Sequence, residues 1–405
     1  MNLLTDGIKM RAVVKTENTK KIFIGNRTQI YPVYQIRMDL LYFNDQNDRI
    51  ATWISQYKAE HEVSPLQELA RDEYNAIIQK FIVDSNADAI RKTEKNIELI
   101  GQREAGVVLT DGRIIDGNRR FTCLRNIQDR TGHIQYFEAV ILDQDVTQNA
   151  KEIKMLELYL QHGVDKPVDY DPVDRLVGIY NDIAINHLLT VKEYAASTGQ
   201  KEKDIEREVE KAKLMVEYLE FIQMPMQFHI ARRTSLNAPL HELHTILHQC
   251  KDDDKREDLK NVVFANFAMQ PFGDMTRYIR KIKKIVSNAR LLDGYLEEQL
   301  DLTEQVCDKI EAQPAMSETV LNEQIRGDIQ LQDRFAHSTE KSIAKVDSDA
   351  SRNRPAQQAE KAYEMLDDID TNIFKKLGEA QKDDIRDKLT LIQEILDSIR
   401  SELDV

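Results

Sequence analysis

The chain has 405 residues, 41% hydrophobic and 31% charged, with a net charge of −14. That length allows two or three packed domains, and the acidic balance argues against a protein coated all over in nucleic acid while leaving room for a local basic patch. Cys123, Cys250 and Cys307 are scattered without a CxxC pair, which argues against a zinc site or a disulfide framework; no apolar run reaches the length of a membrane span and no signal peptide opens the chain, so a cytoplasmic protein is expected.

The first 27 residues hold a β-prone basic piece, Lys20 to Ile24, expected to be a leading hairpin or arm that ends at Gly25-Asn26. Ile30 to Leu41 reads as a strand interrupted at Pro32. Apolar residues three and four apart predict a helix over Arg49 to Ala59 and another from Pro65 to Phe81. Residues 84–105 read as polar helix ending near Gly106. Two short strands, Val107–Leu109 and Arg113–Ile115, flank an Asp111-Gly112 turn, and Tyr136–Leu142 forms a further strand. The order β, α, α, β, β, α, β gives a small α+β domain.

Within it, Asp116-Gly117-Asn118-Arg119-Arg120 joins a strand to a helix whose apolar face begins at Phe121. A tight turn at a helix start aims backbone N–H groups at one point, and arginine offers a fixed fork of donors suited to phosphate. The alternative is an ordinary helix cap with two solvated arginines.

Asn44 to Arg49, after the strand, and the Asp116–Arg120 box resemble the ParB/sulfiredoxin-like domain, whose matching loop reads Asn-Pro-x-Gln-Pro-Arg and whose box reads Gly-Glu-Arg-Arg or Asp-Gly-x-x-Arg. Leu160-Gln161 and Asp171-Pro172 align with a third family box, where Leu158, Tyr159 and His162 replace its Glu, Asn and Arg. The resemblance spans roughly residues 28–225. It implies a nucleotide pocket of Arg49, Gly117, Asn118, Arg119, Arg120 and Gln161, with CTP or ATP and Mg2+ as cofactor. Asp116 and Glu157 are then the candidate catalytic carboxylates. Sulfiredoxin chemistry is excluded, because Asn118 stands where that reaction needs a cysteine.

Residues 148–227 read as helical, with Asp171 as an N-cap before Pro172 and Thr190 as a second N-cap. A short helix closing at Gly199 and a longer one from Lys201 fit a helix-turn-helix, the unit that ParB-like proteins place after the nucleotide domain. Lys201, Lys203 and Arg207 are its candidate DNA contacts, although Glu202, Asp204, Glu206, Glu208 and Glu210 alternate with them. A helical hairpin used for packing is the other reading.

Residues 228–334 are expected to be helical. His241, His244 and His248 share one helix face, but the sequence offers no carboxylate in an obvious ligand position, so half-buried histidines and no metal are expected. Arg277, Arg280, Lys281 and Lys284 lie outside a face formed by Ile279, Ile282, Ile285 and Val286 and are further candidate DNA contacts, or else a solvated face. Residues 335–357 read as a linker and 358–405 as a helical hairpin with an apolar seam. That hairpin is expected to dimerise or to pack on the middle of the chain.

The expected layout is a ParB/sulfiredoxin-like domain at 1–147 followed by a mostly α-helical middle and C-terminal region. The leading functional expectation is a nucleotide-dependent DNA-binding switch in DNA partition or phage defence. The alternatives are a ParB-like nuclease or triphosphatase, and a catalytically inert interaction scaffold.

Overall fold

β1 (Val13–Ile24) and β2 (Arg27–Arg37) form an antiparallel hairpin, so the expected leading arm is a full edge of the sheet. β2 runs straight through Pro32, which pairs with Thr19; the irregularity lies instead in β1, between Lys15 and Thr19. A proline has no N–H for the ladder, and the shift in the facing strand accommodates that loss.

The computed structural model describes residues 1–24, 27–61, 68–143, 150–162 and 171–403. The expected turn at Gly25-Asn26, the helix start at Pro65 and the boundary at 147/148 lie outside them. After β2 come α1 (Ala51–Glu60), α2 (Arg71–Ser85) and α3 (Ala87–Ile100), then β3 (Gly106–Leu109), β4 (Ile114–Asp116), α4 (Asn118–Thr131), β5 (Tyr136–Leu142) and α5 (Ala150–His162). Among the described residues these strands make one five-stranded mixed sheet in the order β1-β2-β5-β3-β4, with β3 and β5 parallel.

The alternation of side chains along the strands divides the core. Val108, Ile114, Ala139 and Ile141 pack with Ile54, Ile78, Ile90 and Phe121 of α1 to α4. Val107, Leu109, Ile115, Val140 and Leu142 point the other way, onto Ile153, Leu156 and Leu160 of α5. Burial of each such side chain stabilises the fold by roughly 1.5–3 kcal/mol, and with both faces covered the end of β4 is held rigidly where α4 begins.

Helices follow: α6 (Pro172–Ile179), α7 (Val191–Thr198), α8 (Glu202–Phe221), α9 (Phe228–Arg233), α10 (Asn237–Gln249), α11 (Asp253–Met269), α12 (Met275–Val286), α13 (Ala289–Glu311), α14 (Glu318–Val320), α15 (Ile329–Asp367) and α16 (Glu379–Leu403). Both expected N-caps are present. The Asp171 carboxylate accepts from the Val173 N–H at 2.8 Å, and Thr190 forms a reciprocal box with Glu193. α7 ends at Gly199, left-handed at φ 68°.

The chain divides into two compact units, 1–342 and 343–405, so the parts expected as separate domains up to residue 334 belong to one unit. The expected linker at 335–357 is helical, and α15 continues through Pro355. As far as Ser342 the reason lies in polar packing. Thr339 is buried with its hydroxyl 2.6 Å from the Tyr278 hydroxyl, and Gln299 Nε2 donates to the Phe335 carbonyl at 3.3 Å. Core contacts made by Ser and Thr leave no apolar periodicity to read. In the second unit Ile369, Ile373, Leu389, Leu396, Ile399 and Leu403 are exposed.

Candidate anion-binding site

Gly117 is the N-cap of α4 and sits at φ 102°, a region that disfavours any residue with a side chain. A Cβ there would also stand 2.8 Å from the ring of Phe137. No side chain caps α4 and its first turn holds no acid. The N–H groups of Asn118, Arg119 and Arg120 therefore have no intrahelical acceptor and carry the positive end of the helix dipole.

The two arginines of the box differ in what they do. Arg120 folds back: Nη2 donates to Asp116 Oδ2 at 2.9 Å and Nη1 donates to the Glu104 carbonyl at 3.0 Å. Lys20 Nζ lies 3.7 Å from the same Asp116 oxygen, so this carboxylate is held between two cations. Arg119 is half-buried, and among the described residues no carboxylate or carbonyl pairs with it. Burial, and then the nearby charge of Arg49, pull its pKa below the usual arginine value. Asn118 is buried, and its Oδ1 accepts no hydrogen bond among the described residues.

A cavity of about 220 Å³ opens here. Its wall contains all six residues expected from sequence: Arg49, Gly117, Asn118, Arg119, Arg120 and Gln161. Sequence reasoning missed Ser85 and Asn86 at the junction of α2 and α3, and Thr93 within α3, which reach the same cavity. The one signal for them was Asn86, the N-cap of α3, which accepts from the Ala89 N–H at 3.0 Å.

The loop that brings Arg49 is built from internal hydrogen bonds. Asn44 Oδ1 accepts from the Gln46 N–H at 3.2 Å and Asn47 Oδ1 from the Arg49 N–H at 3.1 Å. Asn75 holds the preceding backbone through Leu41 and Phe43. Beneath the loop lies an ionic cluster that the sequence did not disclose. Buried Lys154 Nζ is 2.8 Å from Asp48 Oδ1, 3.3 Å from Asp182 Oδ2 and 3.9 Å from Glu157 Oε2. Burial raises the carboxyl pKa of Glu157 and of Asp182, with Lys154 opposing it. Gln161 Nε2 donates to Glu157 Oε1 at 3.1 Å. Asn47 also borders a second cavity of about 830 Å³, with Asp45, Asp48, Lys154 and Asp182 in its wall.

Of the candidate catalytic carboxylates, Asp116 is engaged by Arg120 and Lys20, and Glu157 is buried against Lys154 and Gln161. The candidate DNA contacts lie on two helices. Lys201 and Lys203 are exposed at the start of α8, and Arg207 pairs with Asp204 at 2.8 Å. On α12 Arg277, Arg280, Lys281 and Lys284 are all exposed, as expected, while Arg280 Nε pairs with Glu242 at 2.7 Å.

No protein-family model and no curated protein matches the chain. A solved structure described as the C2221 form of a Pnob8-like ParB-N domain is similar over 77% of this chain and 98% of that one, at 11% sequence identity and a TM-score of 0.29. A score of that size establishes no shared fold. Among the described residues no helix is long and apolar enough to cross a membrane.

Proposed function

We propose that the cavity at the start of α4 binds the phosphates of a nucleoside triphosphate, CTP or ATP with Mg2+, and that the protein is a ParB-like nucleotide-dependent DNA-binding switch. One observation carries this reading: at an uncapped helix N-terminus, close to Arg49, the half-buried Arg119 has no anionic partner among the described residues. Two guanidinium groups held close in a partly buried site repel each other, and an anion between them removes that cost. Asn118 and Arg119 contact the phosphates, Arg49 approaches from the facing loop, Gln161 closes the site from α5, and Arg120 braces the turn through Asp116.

The route from this site toward the DNA-contact residues runs through α5. Lys151 on that helix pairs with Glu193 of α7 at 2.6 Å, and α7 leads through Gly199 into α8. A phosphate group that draws Arg49, α4 and α5 together biases the position of α7 and α8. Lys201, Lys203 and Arg207, with the basic face of α12, are the proposed phosphate contacts on DNA, in DNA partition or phage defence. The exposed apolar seam of the C-terminal unit is the proposed self-association surface.

Hydrolysis of the nucleotide, or nuclease chemistry, would require a carboxylate available to a water or a metal in the cavity. The engagement of Asp116 by two cations favours binding over turnover. The deciding experiment is a titration of CTP, ATP and GTP with Mg2+, following thermal unfolding of the wild type and of Arg119→Ala. A ligand present at about 100 times its Kd stabilises by about 2.7 kcal/mol, and that gain should vanish in the variant. No shift with any nucleotide would leave the inert scaffold as the reading. DNA binding is measured separately at several salt concentrations, because phosphate contacts weaken steeply with salt.

A further inference from the structure

Two of the three histidines of α10 acquire a partner that the local sequence does not contain. His244 and His248 are four positions apart and point their Nε2 atoms to one place, with ring centroids 4.4 Å apart and planes inclined at 57°. α8 delivers Glu210 to the same place. Its Oε2 lies 2.6 Å from His244 Nε2 and 3.1 Å from His248 Nε2, and the two nitrogens are 3.1 Å from each other.

This triangle is hard to satisfy with protons alone. Each neutral imidazole has one N–H, and the carboxylate has none, so at most two protons serve three short edges. If both Nε2 atoms donate to Glu210, they face each other at 3.1 Å with no hydrogen bond between them. A metal ion bound by all three atoms removes that conflict. Donors bound tetrahedrally at 2.0–2.1 Å lie roughly 3.3 Å apart, close to two of the three edges here, and the Glu210–His244 edge of 2.6 Å would have to open on binding.

We propose that Glu210, His244 and His248 form a binding site for a first-row transition-metal dication, Zn2+ or Ni2+ by ligand chemistry. Two imidazoles with one carboxylate favour such ions over Mg2+ and Ca2+, which prefer oxygen donors. The surroundings suit this role. The site opens onto a cavity of about 320 Å³, so water or a small exogenous ligand can complete the coordination. Of the cations in the cavity wall, Arg256 pairs with Asp253 at 2.8 Å and Lys213 is the second, while Lys260 neutralises Glu217 of the same wall at 2.8 Å. A bound ion ties α8 to α10 and so stiffens the second helix of the helix–Gly–helix unit. This inference is independent of the nucleotide reading.

The test is calorimetric titration of tag-free, full-length protein, stripped with chelator, using Zn2+ and then Ni2+, with Mg2+ as control. The expected result is one saturable ion per chain, a higher thermal midpoint reversed by EDTA, and no response to Mg2+. His248→Ala and Glu210→Gln should each weaken binding by at least about tenfold, whereas His241→Ala should leave it unchanged. His248 is exposed, so its removal does not disturb the core, and circular dichroism of each variant verifies the fold. Co2+ substitution should give visible absorption of a low-coordinate site with nitrogen ligands. No saturable Zn2+ or Ni2+ binding, or binding that both ligand variants leave intact, would overturn the proposal and leave an ordinary histidine–carboxylate hydrogen-bond cluster.

Discussion

Lys154 donates to Asp48 at 2.8 Å across a sequence separation of 106, and so fastens the loop that carries Arg49 to the helix that carries Gln161. The ammonium is buried with three carboxylates around it. Removing one partner of such a cluster strands the others, at a cost of about 3–5 kcal/mol. Lys154→Met should therefore lower the urea midpoint strongly, with part of the loss recovered by adding Asp48→Asn. A variant within about 1 kcal/mol of the wild type would show that the cluster contributes no such stability.

Arg119 and Arg120 are neighbours with opposite assignments. Arg120 is tied to Asp116 and the Glu104 carbonyl, while Arg119 faces the cavity without an anionic partner among the described residues. Arg120→Ala should cost about 1.5–3 kcal/mol of stability, the usual range for hydrogen bonds involving charged groups. Arg119→Ala should leave the unliganded protein unchanged or slightly more stable, because it relieves repulsion with Arg49. Chemical denaturation of both variants without nucleotide measures the difference, and a larger loss for Arg119→Ala would reverse the two assignments.

Asp174 sets a pH dependence. Burial pushes its carboxyl up to about 7 from 3.8, against the hydrogen bond it accepts from the Thr52 N–H at 2.8 Å. The folded chain thus keeps a proton over a range in which the unfolded chain has lost it. Unfolding free energy consequently falls as pH rises from about 4 to about 7. Asp174→Asn keeps the accepting oxygen and should remove this share of the decline, gaining up to about 4 kcal/mol at pH 8. Urea midpoints of both proteins at pH 5 and pH 8 measure it; parallel slopes would exclude the effect.

The second unit carries a seam without cover among its own described residues. Leu389, Leu396, Ile399 and Leu403 of α16 are 44%, 39%, 53% and 79% exposed. Leu396→Glu combined with Ile399→Glu should convert a self-associating protein to a monomer in analytical ultracentrifugation, with the main thermal transition retained. A wild type that sediments as a monomer at all concentrations would remove the dimer reading.

The features legible in the chain before folding are local ones. The Asp116–Arg120 turn, the caps at Asp171 and Thr190, the glycine stop at Gly199 and the apolar face of α12 each depend on residues within a turn or two of one another, where backbone sterics and helix periodicity act. The remaining features came from packing in three dimensions. It drew Asp48, Lys154 and Asp182 into one buried cluster, brought Glu210 to the α10 histidines, and packed the start of the expected linker, at Phe335 and Thr339, against α12 and α13. These contacts pair polar groups that are distant along the chain. A buried ion pair or a Thr–Tyr hydrogen bond carries no hydrophobic period, and its partner is set by how the sheet and helices pack around it.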